Sequence, residues 1–402
     1  MTKTSPDDPF HELLKFENRP NPYPFWEALL EQPVTQTARG EYVVSRYHDV
    51  QRLLQDPRIS SDPRNLLPKE ERNPLNTFVV LDSPRHDRLR AAAMRHFGPP
   101  CKPTYLKGLS NQIESLVDKL IDDLQGKKSF DLVESISYPL PVIVISRVTG
   151  MPMNDHEYLT KLSADASTEI EFIEDKDGKL RKAREEASKE LAGYFMKLFE
   201  EKRKNPEDDL FSHLVNDDSP DAMNEAELLE NAILLLIGGH ETTVNLISNA
   251  MLQLMRNPDM LRQVQEDERL VVGLVEEALR YEPPVQFRER NALCDVEYGG
   301  VKIPKGSMVV AAIASANRDP ALFEDPSKFD VLRKPVPYLS FGGGLHFCFG
   351  APLARMEAQF ALGALIRRLK NPRLGDTDLT YHLSPITRGP ERLHIEVDEV
   401  AA

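Results

Sequence analysis

Cys348 stands in Phe341-Gly-Gly-Gly-Leu-His-Phe-Cys-Phe-Gly350, and helical text follows almost at once. Three consecutive glycines suit neither a helix interior nor a good strand, so this backbone turns sharply or lets something bulky come close. A cysteine just ahead of a helix N-terminus meets unpaired N–H groups and the positive end of the helix dipole, and both favour the thiolate. That placement suits a sulfur bound to a metal. A buried cysteine beside glycine is by itself an ordinary packing residue; the density of the pattern around Cys348 sets it apart. Cys101 and Cys294 lie far from it and from each other, which excludes CxxC zinc knuckles and a disulfide framework, and both read as small packing residues.

A second concentration of chemistry lies in Leu234-Leu-Leu-Ile-Gly-Gly-His-Glu-Thr-Thr243. Gly238 and Gly239 interrupt an apolar helical run, each at a cost of about 1 kcal/mol relative to Ala. Close approach of a ligand, with a local widening of the helix and a freed carbonyl, would account for them. Glu241 and Thr242 place an ionisable group and a hydroxyl in apolar surroundings, which is costly unless they are paired or used. The alternative is Thr242 bonding back to its own helix with Glu241 in a structural salt bridge. His240 and Thr243 read as structural.

The elements that position these residues are mostly helices. Asn224-Glu-Ala-Glu227 offers an N-cap with Glu three residues on, and helical text continues to about Arg256, where Asn257-Pro258 stops it. Such a helix would be roughly 45 Å long and, being largely apolar, central. Helices are also expected around Phe25 to Leu30, up to Leu54, across most of Asp87 to Phe199, and, amphipathic, over Pro352 to Leu369. Strands are few: an alternating Glu41 to Ser45, a hairpin at Val296 to Gly300, Met308 to Ile313, and Leu393 to Val397. The Pro- and Asn-rich stretch Asp62 to Pro84 suits a long mobile loop over a binding site, and the charge-dense Ile170 to Glu186 suits a surface helix-loop-helix. No repeat or Gly/Ser linker divides the chain, so residues 1–402 read as a single domain, mainly α with a minor β region.

The spacing F-x-x-G-x-H-x-C-x-G, filled by Phe341, Gly344, His346, Cys348 and Gly350, resembles the haem-binding signature of the cytochrome P-450 family. The resemblance extends along nearly the whole chain. Gly238-Gly-His-Glu-Thr242 is similar to the family's [AG]-G-x-[DE]-T, Glu277-Ala-Leu-Arg280 to its E-x-x-R, and His86 to Arg90 to its H-x-x-x-R. It implies the cytochrome P-450 fold, with a long central helix over haem b (iron protoporphyrin IX) and small mixed β-sheets. Cys348 would then be the proximal ligand to the iron, and a Cys thiolate on haem iron favours O–O cleavage. His86, Arg90, Arg290 and His346 would bind the haem propionates, whose charge calls for such donors. Thr242 would hydrogen-bond the dioxygen and Glu241 would relay protons. Glu277, Arg280 and Arg333 would form a scaffold and take no part in the chemistry. Two departures stand out: Phe349 is bulkier than the residue often found after the cysteine, with consequences for packing beneath the haem, and Gly98-Pro-Pro100 replaces a more usual Thr-Pro turn.

Composition bounds the function. The chain has 402 residues, 41% of them hydrophobic, and 50 basic against 64 acidic residues give a net charge of −14. That balance argues against nucleic-acid binding through bulk charge. No apolar run approaches the roughly twenty residues that cross a bilayer, and the start lacks a signal-peptide pattern, so a cytoplasmic protein without a membrane association is expected. With neither a Gly-rich nucleotide fingerprint nor a CxxC cluster pattern, the chain is expected to draw electrons from a ferredoxin or flavodoxin with its reductase. A docking patch is expected at Arg85, Arg88, Arg95 and Lys102. The resemblance thus implies a monooxygenase that hydroxylates a C–H bond of a small hydrophobic substrate with O2. Its substrate pocket is expected among the 62–84 loop, Leu234, Leu235, Val285-Gln-Phe287 and the turn around Ile386. The alternative is a non-catalytic haem-thiolate protein that binds or senses a ligand.

Overall fold

One helix organises the rest. Glu225–Arg256 is 32 residues long, about 48 Å at 1.5 Å per residue. Its start is fixed by a capping box: the Asn224 side chain accepts from the Glu227 N–H at 3.0 Å and the Glu227 carboxylate accepts from the Asn224 N–H at 3.0 Å. From Thr243 to Met255 every residue is buried, the signature of a helix surrounded on all sides. Pro139–Thr149, Lys179–Lys204, Leu270–Tyr281 and Ala351–Arg368 all pack against it. The computed structural model describes residues 8–68, 76–97, 103–166, 175, 177–375 and 378–402. Gly98-Pro-Pro100, Cys101, Lys102 and most of 167–176 lie outside the described residues.

The minor β region is a mixed five-stranded sheet in the order Val34–Gln36, Tyr42–Val44, Met308–Ala311, Arg288–Ala292, Ile59–Ser60. Its central pair, Tyr42–Val44 and Met308–Ala311, runs parallel, and the other pairings are antiparallel. The alternation expected for the first of these strands is not observed: Tyr42, Val43 and Val44 are all buried, because the sheet is covered on both faces. A three-stranded sheet joins Ser129–Asp131, His394–Glu396 and Arg373–Leu374, and the hairpin at 296–303 forms as expected.

Three sequence expectations need correction. The helix after Cys348 spans Ala351–Arg368 and is not simply amphipathic, since the long helix, Leu270–Tyr281 and Pro103–Asp122 all contact it. The 62–84 segment is pinned at its far end: the Asn76 N–H and side-chain amide donate to Glu230, and the Phe78 N–H donates to Asn231, with Phe78 and Leu81 in the core. A short 3-10 turn, Pro63–Leu66, holds its near end. Residues 69–75 lie outside the described residues. The long helix, finally, is α-helical throughout, with no widened turn at Gly238 or Gly239.

Candidate functional site

The cysteine loop is folded by its own backbone and by a neighbouring helix end. The Cys348 N–H donates to the Phe341 carbonyl at 2.8 Å, closing the loop into a hairpin-like turn. Gly342 and Gly344 have φ of 72° and 62°, a region other residues avoid. Gly344 also lies against the end of Tyr47–Gln55: a Cβ there would sit 2.8 Å from the Leu54 carbonyl oxygen. Two of the three glycines are therefore required by backbone shape.

Cys348 retains accessible surface although it lies deep enough for burial to push its thiol pKa up. Hydrogen bonds from the Gly350 and Ala351 N–H groups, and the charges of Arg90 and Arg288, oppose that rise. The sulfur is thus surrounded by groups that stabilise negative charge, and a bound metal cation would complete the deprotonation.

Around it stand the expected anion-binding residues. The His86 and His346 rings meet edge to face with centroids 4.8 Å apart. Arg90 donates to the Phe347 carbonyl at 2.7 Å. Arg290, on strand Arg288–Ala292 opposite Val309, has its pKa lowered to about 10, by burial first and by Arg288 next. His346 is pushed down to about 3 by burial and by the positive charges of Arg290, His86 and Arg90. Helix Arg85–Phe97, a sheet strand and the cysteine loop therefore bring four expected residues into one electropositive cluster.

This cluster fits a haem on observations of its own. The buried Nε2 of His86 has no hydrogen-bond partner, and its Nδ1 faces Asp87 at 2.7 Å. Among the described residues, no carboxylate pairs with Arg90 or Arg290. Asp87, Asp82 and Glu289 offset only part of the positive charge in this cluster; clustered cations short of counter-charge are costly unless an anion neutralises them, and two propionates would supply that charge. Leu345 and Phe347 of the same loop are 51% and 44% exposed, apolar surface that a porphyrin would cover.

The distal residues are placed by the long helix. Gly238 is exposed between buried Leu236 and His240, so the helix borders open space at that turn. A Cβ on Gly238 would meet nothing within 4 Å, whereas one on Gly239 would lie 2.8 Å from Ile145 Cγ1. The two glycines thus have different causes: the first keeps space open, and the second permits close packing on Pro139–Thr149. The Thr242 hydroxyl donates to the Gly238 carbonyl at 3.2 Å. Glu241 is in no salt bridge among the described residues; its Oε1 accepts from the Thr387 hydroxyl at 2.6 Å. His240 is structural, its Nδ1 bonded to the Leu236 carbonyl at 2.6 Å.

The scaffold expected at the E-x-x-R motif is present. Arg280 binds Glu277 through two nitrogens at 2.7 and 2.8 Å and reaches the carbonyls of Asn317, Pro326 and Lys328. Arg333 adds a contact to Glu277 at 3.3 Å.

Other expectations are altered by the fold. Arg85 and Arg88 share the one buried carboxylate of Glu227, and Arg95 pairs with Asp217, so the positive charge expected there is partly offset; Lys102 lies outside the described residues. Phe287 and Ile386 are core residues packed with Phe10 and Trp26, and Gln286, which accepts from the Trp26 indole at 3.0 Å, lines only a narrow crevice with Trp26 and Thr387 that is too small for an organic substrate. Phe349 wedges between Phe97 and Phe78, with centroids 4.3 and 5.6 Å away, so its bulk ties the cysteine loop to the neighbouring helix. Thr387 was missed, because a contact spanning 146 residues leaves no local signal.

A helical fold with a cysteine loop beside an anion-hungry cluster has the make-up of a haem-binding protein. A family profile described as Cytochrome P450 matches residues 34–396. The chain is 37% identical over 353 residues to the putative cytochrome P450 YjiB of Bacillus subtilis (strain 168), covering 86% of this chain and 87% of that protein. It is 35% identical over 409 residues to the vitamin D(3) 25-hydroxylase of Pseudonocardia autotrophica, covering 98% of each. The crystal structure of the myxobacterial cytochrome P450 CYP267B1 in complex with myristic acid superimposes with a TM-score of 0.88 at 34% identity, covering 97% of this chain and 100% of that one. The chain belongs to the cytochrome P450 family, whose members are haem-dependent monooxygenases, oxidoreductases that incorporate oxygen from O2. No described helix is long and apolar enough to cross a membrane.

Proposed function

We propose that this protein hydroxylates a C–H bond of a small hydrophobic organic substrate, with electrons from a separate ferredoxin or flavodoxin and its reductase. When bound, the haem supplies the oxidative chemistry, using O2, two electrons and two protons to place one oxygen atom in the substrate and release the other as water. The chain's own residues do the rest. Cys348 would hold the iron through its sulfur, the Gly350 and Ala351 N–H groups opposing the rise that burial imposes on the thiol. His86, Arg90, Arg290 and His346 fix the propionates by charge-assisted hydrogen bonds. Gly238 keeps the space above the helix open, and the Thr242 hydroxyl and Glu241 carboxyl deliver protons there.

What supports this reading is that Glu241, in no salt bridge among the described residues, and Thr242 stand where the long helix borders open space, in the same chain as the Cys348 loop. A protein that merely sensed a ligand would have no use for Glu241 and Thr242. A hydrophobic substrate is supported by the relatives, one named for acting on vitamin D(3) and another crystallised with myristic acid. A separate donor is supported by the cysteine count, since the chain has only two cysteines besides Cys348 and a cluster takes four.

The test is spectroscopic and then functional. Reduced protein under carbon monoxide should show the thiolate-type Soret band, and Cys348→Ser should abolish it; an imidazole-type band in the wild type would overturn the reading. With a screened hydrophobic substrate and a surrogate ferredoxin couple, Thr242→Ala should divert electrons from product to peroxide. Unchanged coupling would favour a relay through water, and no product from any substrate would favour the sensor.

A further inference from the structure

Glu241 needs a source of protons, and the structure shows what it touches. Its hydrogen-bond partner is the Thr387 hydroxyl at 2.6 Å, and no basic side chain pairs with it among the described residues. Thr387 is held firmly. Its N–H donates to Ser384 Oγ at 3.2 Å, the Gln286 N–H donates to the Ile386 carbonyl at 2.8 Å, and the Arg388 N–H donates to the Pro284 carbonyl at 2.8 Å. The same Thr387 lines a narrow crevice with Arg19, Tyr381, His382, Pro385 and Arg388. The crevice is scaled to water and far too small for an organic substrate. The nearby charge is balanced within the fold, since Arg388 pairs with Glu282.

A second observation extends the polar path along the helix. Asn245 and Ser248, one and two turns beyond Glu241 on the same face, are buried. Neither amide atom of Asn245 nor the Ser248 hydroxyl has a partner within the protein. The Asn245 side chain lies against Gly389, two residues from Thr387, where a Cβ would be 2.1 Å from its Oδ1. Buried polar atoms left unpaired call for internal water.

We propose that the turn carrying Thr387 is the proton inlet of this site, and that Thr387 is the positioning residue through which Glu241 exchanges protons with water in the crevice. The transfer is a relay. A hydronium in the crevice gives a proton to the Thr387 oxygen as the Thr387 hydroxyl proton passes to the Glu241 carboxylate, leaving water behind. Asn245 and Ser248 hold the waters that keep the seam connected. The inference rests on the monooxygenase reading, because it supplies the acid which that reading uses.

The test uses the haem-loaded protein, reduced by a surrogate ferredoxin couple without added substrate, and its thiolate-type carbon monoxide spectrum checks the underlying reading separately. The Glu241 carboxyl band is assigned in the infrared by its loss in Glu241→Gln. Thr387→Val, which keeps the side-chain shape and removes the hydroxyl, should shift that band and increase the solvent deuterium isotope effect on oxygen consumption. The rate should fall by about tenfold, less than the loss of a general acid itself, because water still reaches Glu241 by slower routes. Thr387→Ser should restore all three, and Thr387→Ala replaces the valine variant if that fails to fold. A normal carbon monoxide spectrum with the band and isotope effect unmoved, whatever the change in unfolding temperature, would make Thr387 a turn residue only and overturn the inlet.

Discussion

His86 and His346 meet edge to face 4.8 Å apart, one from helix Arg85–Phe97 and the other from the cysteine loop, and the Nε2 of His86 is buried without a partner. A polar atom buried and unpaired costs the haem-free fold about 1–3 kcal/mol, and a hydrogen bond to a charged group is worth about 1.5–3 kcal/mol. Replacing His86 should therefore act in opposite directions on the two forms. We expect His86→Phe to leave the haem-free protein as stable as the wild type or more so, while haem passes to an excess of a haem-scavenging globin about tenfold faster or more. Slower loss, or a destabilised haem-free form, would remove His86 from the propionate set.

The buried group of Glu277, Arg280 and Arg333 carries a second prediction. Arg280 is 2% exposed and its guanidinium nitrogens are occupied by Glu277 and three carbonyls. Removing Glu277 leaves two arginines facing each other in the interior, and breaking such a buried pair costs about 3–5 kcal/mol. Glu277→Ala should lower the urea midpoint accordingly and reduce the fraction of protein recovered with haem. Glu277→Leu with Arg280→Met should recover part of the loss, because the more deeply buried of the two arginines is then gone and Arg333 keeps the carbonyls of Glu324, Asp325 and Lys328. If the double variant is no more stable than Glu277→Ala, the ion pair is not the source of the cost.

How much of this was legible in the sequence depended on distance along the chain. The long helix was legible to its last residue, because the Asn224 box and Asn257-Pro258 are local signals with local causes. The cysteine loop was legible for the same reason: three consecutive glycines suit neither helix nor strand, and two of them, Gly342 and Gly344, take the positive φ that glycine permits. The basic residues misled because charge is visible in a sequence and its partner is not. Arg88 and Glu227 are 139 residues apart, and only the fold shows that they neutralise each other. Phe287 was misread and Thr387 missed for the same reason, since burial of one and the hydrogen bond of the other depend on Trp26 and Glu241, far away in the chain.

Acid sensitivity should appear beside the cysteine loop. Asp56, just past the helix end that braces Gly344, accepts from Arg58 Nε and Nη2 and from the Tyr298 hydroxyl at 2.8 Å. The Arg58 hydrogen bonds chiefly lower its pKa to about 2. A carboxylate titrates near pH 4 in the unfolded chain, so the unfolded state takes up this proton first as pH falls. The stabilisation is therefore fully present above about pH 4 and disappears as pH falls through about 2. Because Arg58 is largely exposed, screening reduces the effect to about 1 kcal/mol. Asp56→Asn should lower stability by that amount at pH 7 and flatten the urea midpoint between pH 4 and pH 2. A variant whose acid limb parallels the wild type would show that Asp56 gains nothing from its partners.

Gly238 and Gly239 are neighbours in sequence and opposites in surroundings, so the same substitution should read differently at each. A methyl group on Gly239 runs into Ile145 Cγ1 and Cδ1 at 2.8 and 2.9 Å, and overpacking of this kind costs about 1–3 kcal/mol. Ile145→Ala removes both atoms, so Gly239→Ala combined with Ile145→Ala should be more stable than the sum of the single effects by about 0.5–3 kcal/mol. On Gly238 a methyl group meets nothing, and Ala is the better helix former by about 0.5–1 kcal/mol. Gly238→Ala should therefore raise the unfolding temperature. It should also narrow the space beside the helix, weakening the response of the visible spectrum to 4-phenylimidazole, a bulky haem-coordinating probe. A Gly238→Ala protein that is less stable and binds the probe normally would mean that Gly238 serves the helix backbone, and that the open space at this turn has no part in the site.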